Sequence, residues 1–240
     1  MGWEYDDEEE EIEELPLINE TLEPRELPEG WSSEQRELET GVVSEWIGRP
    51  QPAENQEGSG EIVGEPKEDA ELWHLQQGEM TCAIVSQEFV AESLLDKDFS
   101  EEKMVDFAER QGWYENGTSP EDAGKLLEAM GLSVEREYDA DLEDLEQVLE
   151  SGGRPLVSVH NAVLENPLLS SFPWLSANHM IEVTGIDRTD PGHVKVIVND
   201  SGVLDGAGKV HEWDEFEKAW KTGGNYMVSA YKPVQGGAAI

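Results

Sequence analysis

A chain of 240 residues is long enough to bury one sizeable core, and a formal charge of -39, from 55 acidic against 16 basic side chains, argues against nucleic acid and anionic membrane surfaces as partners. One cysteine can make neither an internal disulfide nor a thiolate metal site, and no metal or organic cofactor is expected. No basic region followed by an apolar run opens the chain, and no apolar stretch is as long as a membrane span; a cytoplasmic protein is expected.

The charge divides almost evenly. Residues 1–70 hold 23 acidic and 4 basic side chains, and residues 71–240 hold 32 and 12. The acidity therefore belongs to the folded part as well as to the leading segment. It fits either solubility in a salty medium or attraction of basic peptides.

Residues 1–70 read as an acidic, disordered segment. The block Asp6 to Glu11 repels itself, Pro16, Pro24, Pro28, Pro50, Pro52 and Pro66 interrupt the rest, and too little apolar surface is present to offset chain entropy. Trp3, Tyr5, Trp31 and Trp46 are either anchors for a protein partner or incidental to a solubilising tail.

Order is expected from about Leu72. Met80 to Leu95 reads as a buried helix, and Ser100 starts a second with Met104, Val105, Phe107 and Ala108 as its apolar stripe. Thr118-Ser-Pro-Glu-Asp opens a third, ended by Gly131, with Pro120 at an N-terminal position where a missing N–H does no harm. Asp141 to Leu149 is a short amphipathic helix.

The period then changes. Pro155 to His160, Met180 to Ile186 and Val194 to Val198 read as strands, with Asp190-Pro-Gly192 as a turn between the last two. Trp213 to Trp220 is a helix, Tyr226 to Tyr231 a final strand, and residues 234–240 a flexible end. Helices first and an antiparallel sheet later is an α+β arrangement.

The lone thiol, Cys82, falls at the start of the first long helix, where the helix terminus favours thiolate. Gln76, six residues earlier, offers an amide that can face an oxyanion beside the Cys82 N–H; Gln77 is its neighbour and rival. Among five histidines, His179 follows a polar loop and leads an apolar strand, so its ring can reach a cleft at a sheet edge; His160 is the runner-up. Asp200 ends the strand expected to pair with the one led by His179. Adjacent strand residues face opposite sides, so either Asp200 or Asn199 orients the ring, not both.

A glutamine, five residues, a cysteine at a helix start, then a late His-led strand and an Asn-Asp strand end resemble the C39-like peptidases. The strings NHMIEVTGID, VKVIVNDSG and WDEFEKAW are similar to that family's His strand, Asp strand and following helix, over about Leu72 to Pro233. The resemblance implies a papain-like fold across residues 71–233, with an N-terminal helical half packed on a C-terminal antiparallel sheet. It implies a cysteine peptidase acting on a peptide or protein, with Cys82 as nucleophile, His179 as base, Asp200 as the group that orients it and Gln76 as oxyanion donor. The chain has Thr81-Cys82-Ala83 where the family often has Asp-Cys-Gly. One apolar insertion, Val163 to Leu175, either overhangs the cleft or packs into the core.

Overall fold

The computed structural model describes residues 62–172, 174–190 and 192–233. The expectations for residues 1–61 and for 234–240, including the aromatic anchors and the flexible end, lie outside the described residues.

A twisted antiparallel sheet forms the centre. In chain order its strands are β1 (Ile62–Gly64), β2 (Ser133–Glu137), β3 (Arg154–Val159), β4 (His179–Asp187), β5 (Lys195–Asn199), β6 (Lys209–Glu212) and β7 (Met227–Tyr231). They run β2-β7-β3-β4-β5-β6, and β1 pairs with the far end of β4, Val63 opposite Ile186. The helices are α1 (Pro66–Ala70), α2 (Cys82–Leu95), α3 (Glu101–Gln111), α4 (Lys125–Ala129), α5 (Leu142–Glu150), α6 (Asn161–Glu165) and α7 (Trp213–Lys221), with a 3-10 turn at Pro167–Ser171. This is the α+β, papain-like layout that the sequence implies.

Both faces of the sheet are covered, which is why the central strands read as unbroken apolar runs. Leu156, Met180 and Val228 face the helical half and meet Ala83, Val90 and Leu94 of α2. Their neighbours Val157, Ile181 and Met227 face the other way, onto Leu145 and Val148 of α5 and Phe216 and Trp220 of α7. The period-2 alternation thus fills two cores. The second layer, α5 to α7, is an addition to the expected picture of one helical half.

Two boundaries and one strand differ from expectation. Residues 62–70 are not part of the acidic leader: β1 and α1 belong to the fold. Arg154, buried on β3, pairs through Nε with Asp69 Oδ2 at 2.8 Å and also with Glu65. Burial of Asp69 is possible because a guanidinium meets it, and composition alone cannot register that. The helix expected from Thr118 to Gly131 starts only at Lys125, because Gly124 sits at φ +90°. A Cβ there would stand 2.8 Å from Val228 and 2.9 Å from Val134, and its N–H donates to Gln87 Oε1 at 3.0 Å. Packing against α2 and the sheet overrides local helix propensity. Strand β2 has a polar sequence and takes its identity from pairing with β7, Glu135 opposite Ser229.

Candidate active site

Cys82 is the first residue of α2 and is partly exposed, while almost all of the rest of that helix is buried. The start of the helix is tied to the sheet: Ser86 Oγ donates to the Met180 carbonyl at 2.9 Å, one residue past the head of β4. The sulfur consequently lies near His179, the first residue of β4, close enough for ring and thiol to shift each other's pKa. Burial alone would raise the thiol's pKa. The hydrogen bond and charge of His179, with backbone hydrogen bonds from Met180 and Ala83, outweigh that and hold it below its ordinary value.

The imidazole is fixed from its other side. His179 Nε2 lies 2.7 Å from Asp200 Oδ1, which leaves Nδ1 to face the sulfur. Burial acts to lower the His179 pKa, but the carboxylate of Asp200 and the Cys82 sulfur raise it from 6.5 to about 9. Burial likewise works against the Asp200 carboxylate, yet the His179 ring and the Gly202 N–H, at 2.8 Å from Oδ1, keep its pKa below the ordinary value. Thiolate, imidazolium and carboxylate are mutually stabilising.

The β4–β5 hairpin explains how residues 21 apart meet. Glu182 pairs with Asn199, so the end of β5 runs beside the start of β4. Alternation then separates the two candidates. Asp200 turns to His179, while Asn199 turns away and donates through Nδ2 to the Asp69 carbonyl at 2.9 Å and Glu182 Oε2 at 3.0 Å.

Gln76 is held beside the loop that follows Asp200. Its N–H donates to the Ser201 carbonyl at 2.9 Å, its Oε1 accepts from Ser201 Oγ at 3.0 Å, and its Nε2 donates to the Gly78 carbonyl at 2.7 Å. Gln77 is exposed and only its backbone N–H is engaged, by Glu101. Of the two, Gln76 is the one whose side chain is held, and it is tied to the residue after Asp200. Of the other histidines, His160 stands at the N-cap position of α6, His74 pairs with Glu88, His193 is exposed and His211 is buried on β6; among the described residues His179 is the histidine that lies near Cys82 and bonds Asp200.

Sequence reasoning missed the groups that shape the Asp200 loop. Trp73 Nε1 donates to the Asp200 carbonyl at 2.8 Å. A Cβ on Gly206 would fall 1.8 Å from that same oxygen, and one on Gly202 would fall 3.0 Å from His179 Cε1 and 3.2 Å from Asp200 Oδ1. The only signal for them was a glycine-rich stretch after Asp200. Part of the apolar insertion takes the packing role, with Val163 and Leu164 buried in the core; Leu168 and Trp174 are exposed, with the Phe172 ring tilted against Trp174 at 5.0 Å.

This arrangement was compared with known proteins. No family model matches the chain, and no curated protein matches it in sequence. Among solved structures it resembles a candidate C39-like peptidase from Bacillus anthracis, at 14% identity and a TM-score of 0.53, over 72% of this chain and 98% of that one. The chain has the fold of a C39-like peptidase. At this identity the likeness concerns the fold; the chemistry has to be argued from the side chains.

Proposed function

We propose that the protein is a cysteine peptidase, on one observation above all: a thiol at a helix start beside an imidazole that is itself hydrogen-bonded to a buried carboxylate. In this reading the Cys82 thiolate attacks the scissile carbonyl. The oxygen becomes an anion beside the Cys82 N–H and the Gln76 amide, whose nitrogen has a second N–H besides the one given to Gly78. The His179 imidazolium passes its proton to the departing amine, leaving a thioester and a neutral ring. That ring then takes a proton from water, hydroxide adds to the thioester, and the acid product and the thiol part. Asp200 holds the ring in orientation throughout.

The substrate is a peptide or protein, and the charge of -39 favours a basic one. A single thiol suits a reducing compartment, in keeping with action in the cytoplasm.

The test is thiol reactivity followed by turnover. Iodoacetamide should label Cys82 rapidly near neutral pH, and His179→Ala should slow labelling by about 10-fold or more, because the imidazolium that stabilises the thiolate is gone. Basic peptides should be cleaved by the native protein and not by Cys82→Ala. Slow labelling that ignores His179 would instead mark a peptide-binding module. Acyl transfer to added amines, in place of hydrolysis, would mark a transferase.

A further inference from the structure

Glu101 opens α3, where an acidic side chain is ordinarily solvated and contributes through the helix dipole. Here only 4% of it is exposed. Its carboxylate points out of its own helix into the loop that precedes Cys82. Oε1 accepts from the N–H groups of Gln77 and Gly78, both at 3.0 Å, and from Thr81 Oγ1 at 2.6 Å; Oε2 accepts from Gln77 N–H at 2.9 Å. A buried carboxylate is tolerated only when donors converge on it, and charge-assisted bonds of this kind are the strong ones.

What these bonds hold is the span between Gln76 and Cys82. Three of its residues, Gln77, Gly78 and Thr81, are fastened to one point on another helix. The loop is tight as well: a Cβ on Gly78 would come within 2.6 Å of Thr81 Cγ2. From its near end, Gln76 reaches across to Ser201, next to the residue that holds His179.

We propose that Glu101 is a positioning residue of the catalytic machinery, fixing the separation between the Gln76 amide and the Cys82 N–H. It touches neither substrate nor sulfur and acts through the loop. The proposal rests on the peptidase reading, since it assigns those two donors to an oxyanion.

Glu101→Gln tests it, because the shape is kept while an NH2 replaces one acceptor oxygen. Peptide turnover should show kcat falling about 10–100-fold with KM nearly unchanged, as expected for donors used in the transition state. Alkylation of Cys82 by iodoacetamide forms no oxyanion, so its rate and pH profile should stay as in the native protein. Hydrogen exchange should show the Gln77 and Gly78 amides losing protection while those of α2 and β4 keep theirs. Thr81→Val should give a weaker form of the same pattern, and Thr81→Ser should restore native behaviour; this pair decides the matter should Glu101→Gln fail to fold.

Native kcat in Glu101→Gln overturns the proposal. So does a parallel loss of alkylation and turnover, which would make Glu101 a general scaffold residue. If the native protein is alkylated but cleaves no peptide, the peptidase reading falls instead. The exchange data then decide for the loop: protection lost on Glu101→Gln upholds positioning, and protection unchanged overturns it.

Discussion

At the scale of residues, the site is governed by a proton shared between sulfur and ring. The Cys82 pKa is lowered from 9.0 and that of His179 is raised from 6.5 to about 9, shifts that both favour the ion pair. Activity should climb as Cys82 loses its proton, on the acid side of an ordinary thiol, and fall as His179 loses its own near pH 9. Measuring kcat/KM against pH checks this; a profile still rising above pH 9 would mean a neutral ring and no ion pair. The ring's position is equally constrained. Gly202→Ala puts a methyl group 3.0 Å from His179 Cε1, so either the ring or the loop must shift. A displacement well under an ångström in a proton relay is worth roughly a tenfold loss in kcat/KM, with the fold intact by circular dichroism.

At the scale of elements, α2 carries Cys82 at one end and is buried over most of its length, which brings Glu88 inside with 3% exposed. Burial pushes the Glu88 carboxyl up from 4.5 to about 7; Glu92 and Glu101 add to the rise and His74, 3.4 Å away, opposes it. The folded state therefore holds this proton more tightly than the unfolded chain. Its contribution to stability is complete below pH 4.5 and is lost as pH rises through about 7. Glu88→Gln should be more stable than the native protein by roughly 1–3 kcal/mol at alkaline pH and equal to it in acid, read from urea midpoints. A native protein that is the more stable at alkaline pH would contradict the sign. This helix also shows how far sequence reading reaches. Cys82, His179 and Asp200 were legible because helix start, strand head and strand end are local patterns, and a hairpin turn joins the last two. Glu88 and Glu101 were not, since a buried carboxylate and a solvated one look alike until its partners are known. The same holds for α1, whose Asp69 is interior only because Arg154 arrives from another strand. Gly124 looked like a helix residue until Gln87 and β7 fixed its conformation.

At the scale of the whole molecule, acidic groups outnumber basic ones 55 to 16, so most carboxylates have no cation to meet. Surface ion pairs such as Arg136 with Glu128, Lys221 with Glu217 and Lys209 with Glu165 are worth well under about 1 kcal/mol each. Salt weakens those pairs and weakens the repulsion too, and the numbers decide between them: the unpaired acids dominate. The Debye length shrinks from about 10 Å at 0.1 M to about 3 Å at 1 M, enough to isolate each surface charge from its neighbours. Stability should therefore rise over that range. A gain of about 2 kcal/mol corresponds to roughly 4–8 °C in Tm for a domain of this size. The rise should level off as screening completes and should be alike in sodium and potassium chloride. A Tm that falls with salt would mean the pairs outweigh the repulsion. The same field predicts the substrate response: KM for a Lys- and Arg-rich peptide should increase with salt while KM for a neutral one stays flat, separating attraction of basic substrates from an acidity that serves solubility.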